Sequence, residues 1–326
     1  MQVIIPLAGL GTRLRPHTHT KPKPLVNVAG KPVLGHILDK LLPVNPSEII
    51  FITGYLGDQI EKYVSSHYDF TARYIEQTER LGQAHAIYLA REFVHEPVLI
   101  VFVDTIVEAD FTELERLDAD GAVYVKEVED PRRFGVVLIE DGVVQRLVEK
   151  PDTPVSRLAI TGVYYLRNWQ MLFDCIKEVL QRPPTKGDEY YIADPLQLMI
   201  DRGARIEAVT IEVWEDCGEA DSLLQTNRYL LRKRGAQKVK AENSIVIQPV
   251  FVAENAVIRN SIIGPYVTIG DRAQVVNSIV KDSIVNEGSH IENATLAASL
   301  VGSNATVVSR YNRLNVGDNS EVSAYE

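Results

Sequence analysis

Glycines and cations cluster directly after the first predicted strand of this chain. Residues 3–7 read as a short β-strand, and the turn that follows contains Gly9, Gly11 and Arg13, with Lys23 ten residues further along. Glycines placed after a strand let backbone amides approach the oxygens of a polyphosphate. Two fixed cations beside such a turn suit the charge that builds up during phosphoryl transfer. The segment is neither a Walker A loop nor a dinucleotide-binding fingerprint, because it lacks Gly-Lys-Ser/Thr and a third glycine.

Two aspartates could hold a metal ion beside these phosphates. Asp104 follows the apolar run 98–103, at the carboxyl end of a predicted parallel strand. Open α/β sheets bind their ligands at that edge. Together with the distant Asp216, this residue offers the oxygen ligands that Mg²⁺ prefers. The alternatives are a helix N-cap for Asp104 and an ordinary surface carboxylate for Asp216.

Three further polar side chains stand where they could bind a substrate. Lys150 follows Glu149 at the end of a predicted hairpin strand, and Pro151 then fixes the direction of the chain. Gln77 offers both a donor and an acceptor to the edge of a base. A solvated Glu-Lys pair and an ordinary surface glutamine are the alternatives, and the residue types alone leave them open.

Alternating strand and helix patterns must position these residues. Nearly continuous apolar strands are buried on both faces, which favours a parallel sheet covered by helices. We therefore predict an α/β fold with a Rossmann-like, doubly wound mixed sheet over residues 1–235, and a hairpin at 134–148 that covers one side of a pocket. The strand-like runs lie at 3–7, 49–53, 72–75 and 98–103, and the helix-like runs at 33–42, 58–67 and 83–94.

The pattern changes after residue 235, where helical periodicity disappears. A fixed short period with regularly placed aliphatic residues is typical of a β-solenoid. We predict a left-handed parallel β-helix of hexapeptide repeats over residues 236–326. An acyltransferase that uses its one histidine, His290, is an alternative to a role in assembly or allostery. The repeated tetrads, spaced by 17, 17 and 16 residues, begin at Asn243, Asn260, Asn277 and Asn293.

Composition narrows the class of protein. The chain has 326 residues, of which 45% are apolar, and a net charge of −10. That balance argues against nucleic-acid polymers and anionic membranes as partners. Residues 1–38 contain no carboxylate side chain but five Lys or Arg, which indicates one local anionic ligand. The N-terminus lacks a basic n-region, and with only two cysteines we expect a soluble, cytoplasmic protein.

In this order, the segments resemble those of the sugar-1-phosphate nucleotidylyltransferases, also called sugar-nucleotide pyrophosphorylases. The resemblance covers roughly residues 1–234, and the tail is similar to the left-handed β-helix that many of these enzymes carry. The matching segments are 9–16 (Gly-x-Gly-Thr-Arg-Leu-x-Pro), 22–25 (Pro-Lys-Pro-Leu), Gln77, 81–86, Asp104, 134–136, 149–151, 161–164, 188–194 and 214–218.

The resemblance implies a reaction and a role for each matching residue. A sugar 1-phosphate attacks the α-phosphorus of a nucleoside triphosphate and expels pyrophosphate, with Mg²⁺ as cofactor on Asp104 and Asp216. The implied catalytic residues are Arg13, Lys23, Asp104 and Lys150. The implied nucleotide-binding residues are Leu7, Ala8, Gly9, Gly11, Thr12, Arg13, Gln77 and Gly82. The implied sugar-phosphate-binding residues are Gly135, Glu149, Lys150 and Gly162.

The resemblance leaves the substrates open. It is greatest to glucose-1-phosphate thymidylyltransferases of the longer type, and Gln77 in its motif favours a pyrimidine. The bases of dTTP and UTP differ by one methyl group, worth only about 1–3 kcal/mol of discrimination. Uridylyl transfer to glucose 1-phosphate and guanylyl transfer to mannose 1-phosphate are therefore alternatives. A non-catalytic regulatory subunit is a further one, supported only by Val103, which stands where the family usually has glycine. We expect a homo-oligomer.

Overall fold

The chain divides into two compact units, Met1–Thr226 and Asn227–Glu326. The division falls within the last long helix, α6 (Ala220–Arg234). The domain limit that the sequence places after residue 235 remains a prediction. The structure, a computed structural model, describes residues 1–153, 155–185 and 187–309.

A nine-stranded mixed sheet crosses the first unit. In spatial order its strands are β5 (Ala72–Glu76), β4 (Ile49–Thr53), β1 (Gln2–Pro6), β6 (Val98–Val101), β11 (Leu158–Leu166), β8 (Gly121–Glu127), β12 (Ile206–Thr210), β10 (Val143–Glu149) and β9 (Gly135–Glu140). The first four run parallel, whereas β11 is antiparallel to β6 and β8. This confirms the predicted mixed α/β architecture.

Three of the four parallel strands, β4, β1 and β6, are buried on both faces, as their apolar runs predict, whereas the edge strand β5 is only half-buried. Ile4 of β1 pairs with Ile50 of β4 and Ile100 of β6, and all three side chains are fully buried. Burying an aliphatic side chain of this size contributes about 2 kcal/mol. Two short sheets accompany the main one: β2 (Asn27–Val28) pairs with β3 (Lys31–Pro32), and β7 (Thr105–Val107) with β13 (Trp214–Asp216).

The helices begin close to where the sequence places them. The sequence also suggests Asp58 as the N-cap of the second helix, but Leu56, with a φ of 62°, takes that position, and Asp58 lies in the first turn. The third helix is much shorter than the predicted 83–94. Within the described residues, no helix is both long enough and apolar enough to span a membrane. The helices are α1 (Val33–Leu41), α2 (Gly57–His67), α3 (Gln83–Tyr88), α4 (Trp169–Val179), α5 (Ala193–Asp201) and α6, with 3-10 turns at Thr12–Leu14, Lys23–Leu25, Leu42–Val44 and Leu114–Arg116.

Strands β9 and β10 form the predicted hairpin. Asp141 and Gly142 in its turn have φ values of 47° and 79°, as a type I′ turn requires. The hairpin is not a separate insertion, because β10 also pairs with β12 and β9 with β11. It therefore extends the central sheet, and the paired residues Gly135 and Glu149 lie at the ends of its strands.

The second unit is a parallel β-helix built from three sheets of four strands each. The first sheet contains β14 (Ile245–Val246), β17 (Ile262–Ile263), β20 (Ile279–Lys281) and β23 (Thr295–Ala297). The second contains β15 (Val250–Val252), β18 (Val267–Ile269), β21 (Ile284–Val285) and β24 (Leu300–Val301). The third contains β16 (Val257–Arg259), β19 (Gln274–Val276), β22 (His290–Glu292) and β25 (Thr306–Val308).

The predicted sequence repeat is one coil of this β-helix. Ile245 pairs with Ile262, Ile262 with Ile279, and Ile279 with Thr295, so the register advances by 17, 17 and 16 residues. The first residue of each tetrad has a positive φ, which asparagine tolerates, and in the first three tetrads its side-chain amide donates to the asparagine of the next coil. This ladder, with N–O distances of 2.9, 3.1 and 3.2 Å, runs through Asn243, Asn260, Asn277 and Asn293. The β-helix is confirmed, while its left hand and hexapeptide character remain predictions.

Candidate active site

The Gly-rich turn and the segment around Gln77 line a cavity of about 410 Å³. It lies at the carboxyl ends of β1, β5 and β6, which meet at one edge of the parallel part of the sheet. Lys23 and Asp104 also line this first cavity. Six of the eight predicted nucleotide-binding residues lie in its wall, namely Leu7, Ala8, Gly9, Thr12, Gln77 and Gly82.

Gly11 shapes the turn from outside the cavity wall. Its φ is 62°, and a Cβ atom there would lie 2.9 Å from Cβ of Lys23. Thr18 Oγ1 donates a hydrogen bond of 2.8 Å to the Gly11 carbonyl, which stabilises the turn. Because Gly11 has no side chain, Lys23 can pack against the turn, and its Nζ lies 3.8 Å from Asp104 Oδ2.

The side-chain amide of Gln77 has a fixed orientation. Its Nε2 donates to the Gly82 carbonyl at 3.2 Å and lies 3.2 Å from Nδ1 of His85. A carbonyl oxygen can only accept, so the end of the amide that faces Gly82 must be the nitrogen. Nδ1 of His85 is then the acceptor of the second bond. The remaining atom, Oε1 of Gln77, has no hydrogen-bond partner among the described residues, which leaves an acceptor for a ligand.

The backbone around position 82 leaves no space for a side chain, so this residue must be glycine. Its φ is 103°, and a Cβ atom there would lie 2.6 Å from the amide nitrogen of Tyr190 and 2.7 Å from its carbonyl oxygen. Tyr190 donates its amide to Leu81 and accepts from Ala84, so it is bonded on both sides of this glycine. The resemblance implies only that Gly82 binds the nucleotide; the structure shows that two chain segments also meet at this glycine.

A second cavity of about 200 Å³ adjoins the first, since Gln83, Phe102 and Asp104 line both. All four predicted sugar-phosphate-binding residues lie in its wall: Gly135, Glu149, Lys150 and Gly162. Asp104 thus borders the space predicted for the nucleotide and the space predicted for the sugar phosphate.

Lys150 is held in position by aromatic and acidic neighbours. Its φ is 43°, and its Nζ lies 3.2 Å from the Tyr191 hydroxyl, 4.5 Å from the centre of that ring and 3.5 Å from Glu149 Oε1. Burial lowers the pKa of Lys150, but the Tyr191 hydroxyl and the Glu149 carboxylate outweigh burial and raise the pKa above its usual value. Lys150 is therefore a cation throughout the physiological pH range.

The pairing of β7 with β13 in the short sheet brings Asp216 close to Asp104. Asp216 pairs with Thr105, and the Cys217 amide donates to the Asp104 carbonyl at 2.8 Å. Both carboxylates line the second cavity. The Gly218 amide donates to Asp216 Oδ1 at 2.7 Å and so orients that carboxylate. The distant pair of aspartates predicted from the sequence is thus brought together.

These two carboxylates fit a hydrated divalent cation. Mg²⁺ commonly binds through one or two carboxylates and completes its shell with waters and substrate phosphates. Within the described residues, no group of three or more His, Cys, Asp or Glu side chains could hold a metal ion. Asp104 and Asp216 therefore suit a cation that is also coordinated by a substrate phosphate, and not a cation that is coordinated by protein ligands alone.

Arg13 lines the second cavity and not the first. Its Nη1 lies 2.8 Å from Glu219 Oε1, and its Nη2 would lie 3.2 Å from a Cβ atom at Gly218. The guanidinium therefore lies beside the turn that carries Asp216. The sequence predicts contact with the triphosphate, but the structure places Arg13 in the wall of the cavity predicted for the sugar phosphate.

Sequence reasoning gave no role to several other residues of the two cavities. Arg80 lines the first cavity and Arg133 the second. Arg133 directly precedes the predicted segment 134–136, so the search for cations around each motif would have found it. Trp214 also lines the second cavity; its indole Nε1 is buried and has no hydrogen-bond partner among the described residues. That unpartnered donor became visible only in three dimensions.

Known proteins share this fold and these motifs. Residues 2–233 match the nucleotidyl transferase family. A glucose-1-phosphate thymidylyltransferase of Streptomyces griseus is 31% identical, over 98% of this chain and 98% of that protein. A UTP–glucose-1-phosphate uridylyltransferase of Haloferax volcanii is 34% identical, over 69% of this chain and 97% of that protein. A crystal structure of UDP-glucose pyrophosphorylase complexed with UDP-glucose is 25% identical, with a TM-score of 0.64, over 72% and 99% of the two chains. The chain therefore belongs to the nucleotidyl transferase family and is a nucleotidyltransferase of the sugar-1-phosphate type that its motifs predicted.

Proposed function

We propose that the protein transfers a nucleotidyl group from dTTP to glucose 1-phosphate, giving a nucleoside-diphosphate sugar and pyrophosphate. The observation that carries this proposal is the pair of adjoining cavities with Asp104 in the wall of both. A nucleotide in the first cavity and a sugar phosphate in the second would meet at this carboxylate.

The reaction depends on the positioning of the two substrates more than on proton transfer by a side chain. A phosphate oxygen of the sugar 1-phosphate attacks the α-phosphorus in line, a new P–O bond forms, and the bond to pyrophosphate breaks with its electron pair. The attacking oxygen is already an anion, so no general base is required. Asp104 and Asp216 would hold Mg²⁺, which supplies positive charge to the phosphate oxygens. Lys23 serves the nucleotide phosphates and Lys150 the attacking phosphate, which offsets the repulsion between two anions.

The orientation of Gln77 supports a uracil or thymine base. Its free Oε1 requires a donor on the base edge, and N3–H of uracil or thymine provides one. Cytosine presents an unprotonated N3 there, so its nitrogen would face another acceptor. The relative from Streptomyces griseus is named for thymidylyl transfer and that from Haloferax volcanii for uridylyl transfer. Uridylyl transfer is therefore the close alternative, and guanylyl transfer a further one.

Glucose is the sugar named in both of these relatives. Glu149 would accept hydrogen bonds from sugar hydroxyls, and the unpartnered indole N–H of Trp214 could donate to a substrate oxygen. A cytoplasmic location and a homo-oligomer complete the proposal. The location is supported by the two cysteines, Cys175 and Cys217, which are free and buried.

A pyrophosphate-release panel tests the proposal. The full chain is assayed with Mg²⁺, each of dTTP, UTP, CTP, GTP and ATP, and the 1-phosphates of glucose, galactose, mannose and N-acetylglucosamine. We expect release with dTTP and UTP on glucose 1-phosphate, and little with CTP. Release confined to GTP with mannose 1-phosphate would replace the proposed substrates. Its absence with every pair would favour the non-catalytic alternative.

A further inference from the structure

Three charged side chains form a cluster at the second cavity, and only one of them, Arg13, is among the catalytic residues that the sequence predicts. Glu219 Oε1 accepts hydrogen bonds from Arg13 Nη1 at 2.8 Å and from Arg133 Nη2 at 2.5 Å. One carboxylate oxygen thus bridges two guanidinium groups, and both arginines line the cavity. Among the described residues, Glu219 is the carboxylate partner of each.

The backbone fixes Glu219, whereas the arginines can move. The Glu219 amide donates to Ser222 Oγ at 3.1 Å, and its carbonyl accepts from Ser222 Oγ and from the Leu223 amide at the start of α6. The side chains of Arg13 and Arg133 are 56% and 61% exposed. They could therefore leave Glu219 for another anion without unfolding any element.

A phosphate is the anion that suits two such arginines. Guanidinium groups bind phosphate oxygens through paired N–H donors, and a phosphate offers three oxygens, whereas both arginines share the single Oε1 of Glu219. Two neighbouring guanidiniums repel each other unless an anion lies between them. We propose that Arg13 and Arg133 form a two-arginine clamp for the substrate phosphate of the second cavity, and that Glu219 occupies the clamp until this phosphate displaces it. The identity of the phosphate as a sugar 1-phosphate rests on the proposed function.

The proposal predicts that Glu219 weakens phosphate binding. Glu219→Gln keeps the shape of the side chain but removes its charge, and we expect the Kd for glucose 1-phosphate to fall about five- to tenfold, as for the loss of a repelling unit charge in a largely hydrated site. Arg133→Gln should raise this Kd about tenfold. The matched control is Glu113→Gln, because Glu113 is an exposed carboxylate that pairs with Arg116 and lines neither cavity.

Isothermal titration calorimetry of the full chain in the presence of Mg²⁺, with glucose 1-phosphate and separately with inorganic phosphate, measures these constants without any turnover. Tighter binding of both ligands by Glu219→Gln, but not by Glu113→Gln, supports the clamp. An unchanged or higher Kd in Glu219→Gln overturns it, as does a gain that persists in the Glu219→Gln/Arg133→Gln double variant. If pyrophosphate release fails for every substrate pair while phosphate binding responds as expected, the proposed function is wrong and the clamp stands. If release occurs and phosphate binding does not respond, the clamp alone is wrong.

Discussion

Replacing His85 should weaken the discrimination between uracil and cytosine nucleotides. Nε2 of Gln77 donates to two acceptors, the Gly82 carbonyl and Nδ1 of His85, both at 3.2 Å. Turning the amide to suit cytosine would break both bonds and place Oε1 against the Gly82 carbonyl, and His85 could bond Oε1 only after its proton moved from Nε2 to Nδ1. With about 1 kcal/mol for each net hydrogen bond, the native orientation is favoured by about 2 kcal/mol, or roughly 30-fold.

His85→Leu removes one of these two acceptors. The preference should then fall by about 1 kcal/mol, so the ratio of kcat/KM for UTP to that for CTP should drop about fivefold. The assay is pyrophosphate release with glucose 1-phosphate at varied nucleotide concentration. His67→Leu is the control, because His67 lies on α2, bonds to Ser66 and the Tyr63 carbonyl, and lines neither cavity.

Three results would refute this reasoning. An unchanged ratio in His85→Leu would show that the Gly82 carbonyl alone orients the amide or that the base does not reach Gln77. Equal losses of kcat/KM for UTP and CTP would show that His85 acts through packing. An equal change of the ratio in the His67→Leu control would remove the link to the first cavity.

Three other properties can be measured directly. Gly82→Ala should destabilise the fold by about 2–4 kcal/mol, because its Cβ atom would overlap the Tyr190 backbone and its φ is 103°; an unchanged Tm would contradict this close approach. Asp104→Asn and Lys23→Ala should each lower kcat about 10²-fold or more at a near-native Tm, and pyrophosphate release unaffected by both would exclude the catalytic assignment. Burial raises the pKa of both thiols, that of Cys217 to about 12, so neither should react with iodoacetamide at pH 8 in the native protein. In the unfolded chain the thiols ionise near pH 8.5, whereas the buried thiols of the folded protein stay protonated to higher pH. The free energy of unfolding, measured with urea, should therefore fall as the pH rises from 8 to 10, and a rise would refute this.

The sequence predicted the elements that depend on local pattern. Apolar runs identified the parallel strands, and the 17-residue period identified the coil of the β-helix before any pairing was known. Motif order identified the family and most of the cavity walls. The position of Asp104 at the cavity could be predicted because the carboxyl ends of parallel strands lie at the same edge of a sheet. Which residues lie at that edge depends only on the direction of the strands.

Features that depend on contacts between distant segments were not predictable in this way. The close approach at Gly82 requires the Tyr190 backbone, more than a hundred residues later in the chain. The position of Arg13 depends on Glu219, at a separation of 206 residues. Local sequence patterns cannot predict such a pairing, because the long side chain of Arg13 could reach either cavity from its turn. The negative charge of Glu219 determines that Arg13 lies at the second cavity.

The charges around the second cavity explain why a cation should bind before or with the sugar phosphate. Among the described residues, three cationic side chains, Arg13, Arg133 and Lys150, line this cavity, and three carboxylates, Asp104, Asp216 and Glu149, line it with them. Glu219 at the arginines and Lys23 beside Asp104 add one charge of each sign, so the formal charge around the cavity is zero. Such a site offers an anionic substrate no net attraction. A divalent cation on Asp104 and Asp216 would make the charge positive, so the metal that the proposed reaction needs at the phosphorus would also help to bind the attacking phosphate.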